Sequence, residues 1–387
     1  MKKPFPLASH LDRIQPFHVM DLLARARALE TAGRDIVHME IGEPAFATPV
    51  PIVEAGQQAL AQGHTHYTPA LGLPALREAI AGSYQQNYGV SVDAARIIIT
   101  PGSSGALLLA LATLVDTGKR VMMTDPGYPC NRNFVYLLGG EVSAIPVTAA
   151  SNYQPTCEQL QQHWDEQTTA LMLASPSNPT GSLITMGHLQ RLYDEVSVRQ
   201  GRLIVDEIYH GLVYEDGVQT ALSIADDLFV VNSFSKFYGM TGWRLGWLVA
   251  PTDYVPELDK LAQNLFLAAP TPAQYAALAA FKPETQEILQ QRRDDFRKRR
   301  DYLVEALREI GFAIPVVPQG AFYIYADCSQ FSDDSMALAN TLLEEIGVAI
   351  TPGLDFGQYE SATHVRFSYT TSMERLKEGV ARLRQFF

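Results

Sequence analysis

The chain has 387 residues, of which 47% are hydrophobic and 19% are charged, as in an ordinary globular enzyme. This length is sufficient for one large domain and a smaller one. The formal net charge of −12 argues against nucleic acid or an anionic membrane surface as the main partner. The three cysteines are too few and too scattered for a disulfide scaffold or a metal site, so no metal is predicted.

Two features of the hydrophobic pattern bear on location. The longest apolar stretch, residues 106–115, is too short to cross a bilayer. The first residues of the chain contain no apolar core of a signal peptide. The sequence therefore predicts a soluble protein of the cytoplasm.

Short β-branched runs alternate with helical patterns through the middle of the chain. The runs typical of strands are 96–100, 120–124, 170–173, 202–205 and 228–231. Because near-continuous apolar strands between helices are typical of a parallel sheet covered on both faces, we predict an α/β fold with a mostly parallel sheet. After about Pro283 the pattern changes to a long charged helix, 284–310, and two strand-like runs, 320–325 and 364–369. We predict that this C-terminal part belongs to a smaller α+β domain.

Polar motifs follow directly after these strands, where open α/β sheets bind their ligands. Gly102, Ser103 and Ser104 lie between the first strand and an apolar helix predicted to begin at Ala106. A turn of small residues at a helix N-terminus presents free backbone N–H groups to an anion. The alternative is a serine that only caps the helix.

Three further strands end in candidate site residues. Tyr128 follows the second strand in an aspartate–proline–glycine turn, and Asn178 lies in a rigid turn of two prolines and a glycine after the third. Asp206 ends the fourth strand, with Tyr209 three residues later. Each of these signals is weak alone, since turn aromatics and acidic residues at strand ends are common.

The segment after the fifth strand is the most specific. It contains Ser233, Ser235, Lys236 and, after a glycine-rich turn, Arg244. Such a lysine suits an enzyme that holds an aldehyde as a Schiff base, because nearby positive charge and desolvation lower its pKa and free the nucleophilic amine. The two hydroxyls and the arginine can bind a phosphate of the same cofactor. The alternative for Lys236 alone is a surface lysine before a glycine turn.

Residues 233–246 resemble the lysine-attachment signature of the class I/II aminotransferases, which use pyridoxal 5′-phosphate (PLP) on the aspartate aminotransferase fold, also called fold type I. The other motifs follow in the order of that family, and the resemblance covers about residues 14–384. It implies a large PLP-binding domain, 46–283, with a seven-stranded sheet between helices. It also implies a small domain formed by residues 1–45 and 284–387.

The resemblance assigns the cofactor contacts. Lys236 holds PLP as a Schiff base and transfers protons, Asp206 keeps the pyridine nitrogen protonated, and Tyr209 donates to the phenolic oxygen. Tyr128 stacks on the ring, and Asn178 contacts both the phenolic oxygen and the substrate carboxylate. The residues expected around the phosphate are Gly102, Ser103, Ser104, Ser233, Ser235 and Arg244.

The resemblance also assigns substrate and partner contacts. Gly42 brings backbone close to the substrate, and Arg366 grips its α-carboxylate. The alternative for Arg366 is a salt bridge within the small domain. Tyr67, and less clearly Thr271, match residues that reach the phosphate of the neighbouring subunit, which implies a homodimer with shared active sites. The alternative for Tyr67 is an ordinary loop aromatic.

The activity implied is transfer of the α-amino group of an L-amino acid to a 2-oxo acid by a ping-pong mechanism. A PLP-dependent carbon–sulfur β-lyase of the same fold uses the same residues and stays the alternative. A PLP-sensing transcription factor carries a DNA-binding module ahead of this domain, whereas the match here starts near the first residues, so we expect an enzyme. Residues 264–269 carry no charge, and together with Phe17 they favour an apolar or small substrate side chain.

Overall fold

The structure is a computed structural model that describes residues 7–387. Residues 1–6 lie outside the described residues. They include the start of the predicted small domain and part of the N-terminal segment in which no signal peptide was predicted. Within residues 7–387, none of the helices combines the length and the apolar character that a membrane span requires.

A seven-stranded sheet, here called the central sheet, forms the framework of the site. The strands of the described chain are β1 (Val37–His38), β2 (Ile97–Thr100), β3 (Arg120–Asp125), β4 (Glu141–Pro146), β5 (Thr168–Ala174), β6 (Arg202–Asp206), β7 (Phe229–Ser233), β8 (Gly246–Val249), β9 (Tyr323–Asp327), β10 (Val348–Ala349), β11 (Thr351–Pro352) and β12 (His364–Ser368). The central sheet has the order β2-β8-β7-β6-β5-β3-β4, and β8 runs antiparallel to both of its neighbours. The predicted α/β fold with a mostly parallel seven-stranded sheet is confirmed.

Helices cover both faces of this sheet. The helices of the described chain are α1 (His18–Thr31), α2 (Val50–Ala61), α3 (Pro74–Tyr88), α4 (Gly102–Leu114), α5 (Pro129–Leu137), α6 (Cys157–His163), α7 (Met186–Val198), α8 (Val255–Leu265), α9 (Thr271–Leu278), α10 (Pro283–Ile310), α11 (Ser335–Thr341) and α12 (Met373–Phe386). Successive residues of a strand enter different cores: Leu171 packs in the core that includes α3 and α7, and Met172 in the core that includes α4 and α8. Burial on both faces explains why these strands are almost continuously apolar.

The helix after β2 begins earlier than predicted. It starts at Gly102 and not at Ala106, because the small residues 102–105 form its first turn. Gly105 suits this turn, since a Cβ there would lie 2.9 Å from Pro101 Cδ. The free N–H groups, which the sequence predicted for a turn that precedes the helix, therefore belong to the first turn of α4.

A second apolar core lies around the C-terminal sheet, which consists of β9, β11 and β12 in the antiparallel order β11-β12-β9. The predicted strands 320–325 and 364–369 correspond to β9 and β12, and the predicted helix 284–310 corresponds to α10. The N-terminal strand β1 pairs in parallel with β10, so an early segment joins this C-terminal layer. The domain boundaries at residues 46 and 283 stay a prediction.

Candidate active site

A cavity of about 420 Å³ opens at the carboxyl ends of β5, β6 and β7, between the central sheet and the C-terminal sheet. Most of the predicted site residues line it. These are Gly42, Ser103, Ser104, Tyr128, Asn178, Asp206, Tyr209, Ser235, Lys236, Arg244 and Arg366. Because parallel strands end at the same edge, motifs that are far apart in the sequence meet here.

Lys236 lies three residues after the end of β7, and its Nζ donates a hydrogen bond to the carbonyl oxygen of Gly42 at 2.7 Å. Burial lowers the pKa of its ammonium group to about 8. Glu43 opposes this shift, whereas the positive charges of Arg366 and Arg244 add to it. The neutral amine is therefore accessible near neutral pH, as a nucleophile or a general base requires.

Asp206 ends β6, and its Oδ1 accepts a hydrogen bond from the backbone N–H of Ile208 at 3.0 Å. Burial raises the pKa of this carboxyl group to about 6, against the effect of that hydrogen bond and of Lys236. The group is thus still ionised at neutral pH and can pair with a protonated ring nitrogen. Its neighbour Glu207 does not line the cavity and accepts hydrogen bonds from Thr220 and from the N–H of Ala221.

Arg366 lies in the middle of β12 and is only 3% exposed. Its Nη1 donates to Asn178 Oδ1 at 2.9 Å and its Nη2 to the carbonyl oxygen of Glu40 at 2.5 Å. Within residues 7–387 no carboxylate forms a salt bridge with it, and its Nε is buried without a hydrogen-bond partner. The structure thus leaves a buried positive charge beside the cavity, which is costly unless an anion binds there.

The cavity contains a cradle for an anion at the N-terminus of α4. Ser103 and Ser104 line it from the first turn of the helix, and Ser235 and Arg244 line it from the segment after β7. Gly102 has a φ of +71°, and a Cβ there would lie 2.6 Å from Arg244 Nη2. The missing side chain therefore lets the guanidinium approach the helix N-terminus, and together these groups form a site that suits a phosphate.

Two of the predicted phosphate residues do not line the cavity. Gly102 contributes indirectly, because its lack of a side chain leaves room for the guanidinium of Arg244. Ser233 is completely buried, and its Oγ lies within hydrogen-bond distance of Ser235 Oγ, at 2.9 Å, and of the carbonyl oxygen of Leu245, at 3.2 Å. In this geometry Ser233 supports Ser235, whereas the sequence predicted that it contacts the phosphate itself.

Two tyrosines meet at the far side of the cavity. The hydroxyl of Tyr209 lies 3.1 Å from that of Tyr323, and both side chains are buried. Tyr323 was not singled out in the sequence, although its strand was predicted. Its partner Tyr209 lies 114 residues earlier, so no local motif could indicate the pair.

The two residues assigned to the neighbouring subunit lie outside the cavity of their own chain. Tyr67 is 80% exposed. The hydroxyl of Thr271 donates to the carbonyl oxygen of His66 at 2.7 Å, which places Thr271 beside the loop that carries Tyr67. Tyr67 is thus a surface group, and Thr271 is partly exposed.

The residues present in the cavity fit PLP. The amine of Lys236 can bind its aldehyde, the cradle that a Cβ at position 102 would fill can hold its phosphate, and the ionised Asp206 can pair with its ring nitrogen. Tyr128 lines the same cavity and is the N-cap residue of α5. No further cofactor is needed to account for these groups.

Comparisons with known proteins agree with this site. Residues 34–383 match the family model described as aminotransferase class I and II. The chain is 40% identical over 373 residues to a valine–pyruvate aminotransferase of Mycobacterium tuberculosis, with 96% of each chain covered. It is 34% identical over 395 residues to an aspartate aminotransferase of Geobacillus stearothermophilus, with 98% of each covered. The crystal structure of an aminotransferase from Mycobacterium tuberculosis superposes with a TM-score of 0.95, at 38% identity and with 99% of each chain covered.

The matched relative and the superposed structure are covered over nearly their whole length, as is this chain, so the similarity applies to the complete fold and not to a shared fragment. Members of the family use PLP and transfer amino groups. The predicted activity and cofactor are therefore confirmed. The chain belongs to the class I and II aminotransferases.

Proposed function

We propose that this aminotransferase takes the amino group from neutral amino acids with apolar side chains, and that it works as a cytoplasmic homodimer with shared active sites. The observation that carries the substrate class is the lining of the cavity. Its cationic side chains are Lys236, Arg244 and Arg366, and each has a task in binding cofactor or α-carboxylate. A second carboxylate on the substrate would find no further cationic side chain in the lining of this cavity within residues 7–387.

The remaining wall is apolar with one acidic group. Side chains from the N-terminal region and from α4 supply the apolar part, namely Phe17, Val19, Met20, Ile41 and Leu107. Glu43 lines the cavity as well and accepts a hydrogen bond from Thr241. A carboxylate would repel a second acidic group on the substrate, whereas an aliphatic or aromatic side chain would bury its surface against the apolar wall.

The relatives support this choice without deciding it. The relative named for valine and pyruvate is 40% identical, and the one named for aspartate is 34% identical. Both relatives match over nearly their full length, although they are named for different amino acids. The proposal therefore depends on the lining of the cavity and not on these names. The expected apolar character of residues 264–269 agrees with it, since that segment carries no charge.

In the proposed division of work, three residues carry the chemistry. PLP, when bound, withdraws the electron pair that is left on Cα of the amino acid. Lys236 Nζ accepts the proton from Cα as a general base and later returns a proton as a general acid. Asp206 keeps the ring nitrogen protonated, and Tyr209 donates a hydrogen bond to the phenolic oxygen.

The other residues position the reactants. Ser103, Ser104, Ser235 and Arg244 hold the phosphate, and Tyr128 covers the ring. Arg366 and Asn178 bind the α-carboxylate together, because their 2.9 Å hydrogen bond already fixes the guanidinium. Gly42 closes the substrate side with backbone, since a Cβ there would lie 1.9 Å from the Tyr323 hydroxyl.

The proposed homodimer is supported by large apolar side chains that are exposed on the single chain. Tyr67 is an exposed aromatic side chain, and exposed leucines occur at 60, 265 and 267. We propose that Tyr67, with Thr271 beside its loop, reaches the phosphate site of the partner. Sedimentation equilibrium should give a dimer, and Tyr67→Phe should weaken PLP binding without changing that mass.

The proposed location in the cytoplasm is supported by the cysteines. All three are free, which is typical of a reducing cytoplasm.

The experiment that tests the substrate class is a half-reaction. Single amino acids are added to the PLP-loaded enzyme without a 2-oxo acid, and loss of the visible absorption band of the cofactor is followed. Valine, leucine or phenylalanine should convert the band stoichiometrically, and aspartate and glutamate should react at least about 100-fold more slowly. Equal rates for aspartate and leucine would refute the proposal. A persistent band with release of pyruvate from β-substituted amino acids would indicate a β-lyase.

A further inference from the structure

Tyr323 lines the centre of the site, although none of the family motifs quoted above includes it. Its hydroxyl lies 3.1 Å from that of Tyr209, and the two rings meet edge to face, with centroids 5.8 Å apart. Its ring also lies beneath Arg366, whose Cζ is 4.2 Å from the ring centroid. Tyr323 therefore contacts both the group proposed to bind the cofactor oxygen and the group proposed to bind the substrate carboxylate.

The hydroxyl of Tyr323 is held in one place. Gly42 leaves room for it, since a Cβ at that position would be only 1.9 Å away. Tyr323 is 2% exposed, and its hydroxyl has no other hydrogen-bond partner among residues 7–387 than Tyr209. Tyr209 likewise has only this partner for its hydroxyl within that range. The two groups thus determine each other's orientation.

Each phenol has one proton to donate. If Tyr209 donates it to Tyr323, that proton is not directed at the cofactor. If Tyr323 donates instead, the oxygen of Tyr209 accepts, and its own proton is free for the phenolic oxygen. Hydrogen bonds in such a chain polarise one another, so the second arrangement strengthens Tyr209 as a donor.

We propose that Tyr323 is a positioning residue that donates a hydrogen bond to Tyr209 and so directs the Tyr209 proton towards the phenolic oxygen of PLP. This inference depends on the role proposed for Tyr209 but not on the proposed substrate class. It assigns a function to the hydroxyl of Tyr323, whereas the ring has the separate task of supporting Arg366. The two tasks can be separated, because phenylalanine keeps the ring and removes the hydroxyl.

The test is a spectroscopic pH titration of the PLP-loaded Tyr323→Phe variant. A weaker donor leaves more negative charge on the phenolic oxygen, which holds the proton on the cofactor-bound nitrogen of Lys236 more tightly. The midpoint of the visible spectral change should therefore rise by about half to one pH unit, the size expected for loss of one neutral hydrogen bond. We expect kcat to fall by about three- to tenfold, with little change in KM, because the ring beneath Arg366 is retained.

Three variants make the result decisive. Tyr325→Phe removes a buried hydroxyl from the same strand that has no hydrogen-bond partner within residues 7–387, and it should leave the midpoint unchanged. Tyr209→Phe should raise the midpoint further, and adding Tyr323→Phe to it should have no additional effect.

Two outcomes would overturn the proposal. One is an unchanged midpoint in Tyr323→Phe with a raised KM, which would mean that the hydroxyl contacts the substrate. The other is a midpoint shift that is additive with that of Tyr209→Phe. Neither outcome affects the choice between neutral and acidic amino acids, which the half-reaction measures on the wild-type enzyme.

Discussion

The two walls of the cavity are built from different kinds of contact. Lys236 and Asp206 lie at the carboxyl ends of neighbouring parallel strands, and Asp206 is supported locally by the hydrogen bond from Ile208. Arg366 lies in the C-terminal sheet, and its partners Asn178 and Glu40 are 188 and 326 positions away in the sequence. The central sheet thus carries its groups on short motifs, whereas the C-terminal sheet depends on how the whole chain packs.

This difference has a functional counterpart. Most of the groups at the ends of the central strands are proposed to bind and activate the cofactor, whereas Arg366 of the C-terminal sheet is proposed to bind the substrate, together with Asn178. Substitutions on the two walls should therefore separate cofactor binding from substrate binding. The predictions below follow this division, from the largest expected effect to the smallest.

The largest effect is expected for Lys236→Ala. This variant loses the amine that binds the aldehyde and moves the proton, so turnover should fall by at least about 10⁴-fold. Added small primary amines should restore part of the activity. Lys260→Ala, at an exposed lysine paired with Glu257, is the matched control and should behave as the wild type. Substantial activity of Lys236→Ala without an added amine would remove Lys236 from the mechanism.

The comparison of Arg366→Ala with Arg244→Ala separates the two walls directly. Arg366→Ala should lower kcat/KM for the amino acid by about 100- to 1000-fold, because the α-carboxylate of the substrate loses the guanidinium that binds it. The affinity for PLP should stay almost unchanged. Arg244→Ala should show the reverse, with weaker PLP binding and normal KM at saturating cofactor. Both are measured by cofactor titration and by initial rates. If Arg366→Ala released PLP as readily as Arg244→Ala, the division would be wrong.

The same difference explains what the sequence could predict. Lys236, Asp206 and Asn178 each follow a predicted strand within a few residues, so the strand pattern alone placed them at one edge of the sheet. Arg366 was assigned through the family resemblance, in agreement with the cost of an inward arginine that meets no anion. Tyr323 had no such signal, since a tyrosine in a buried strand is ordinary until its partner is known.

Two details required the packed structure. The start of α4 at Gly102 depends on the close contacts of Gly102 and Gly105, which a sequence pattern does not contain. The placement of Ser233 depends on where β7 ends, because Ser233 is the last residue of the strand and is buried beside Leu245, whereas Ser235 lies beyond the strand and reaches the cavity. The sequence pattern locates the end of a strand only to within a few residues, so it could not separate these two serines.

A smaller effect on the central wall is expected for Gly102→Ala. The φ of +71° disfavours any side chain, and the new Cβ would lie 2.6 Å from Arg244 Nη2, so either the helix N-terminus or the guanidinium must move. PLP affinity should fall by about 10- to 100-fold with an unchanged substrate preference. Gly82→Ala, in α3 with nothing within 4 Å of the added atom, is the control and should bind PLP normally. Equal affinities of the two variants would contradict the proposed cradle.

The smallest effect concerns the C-terminal wall and is a dependence of stability on pH. His38 Nδ1 lies 2.7 Å from Oε1 of the fully buried Glu40, whose carbonyl oxygen binds Arg366. The hydrogen bond to Glu40 raises the pKa of His38 to about 9, against the effect of burial, and Glu30 adds to the shift. Because the pKa is raised on folding, this stabilisation is complete below about pH 6.5 and is lost as the pH rises through 9.

Denaturant unfolding of the wild type and of His38→Gln between pH 7 and pH 10 measures this contribution. The free energy of unfolding should fall by about 1 kcal/mol more in the wild type than in the variant, after allowance for the partial exposure of His38. Using the difference between the two proteins removes the titration of all groups that they share, including Lys236. Glu30→Gln, which removes only the weaker partner, should give an intermediate slope. Parallel pH profiles for the wild type and His38→Gln would show that the C-terminal wall is held without this ion pair.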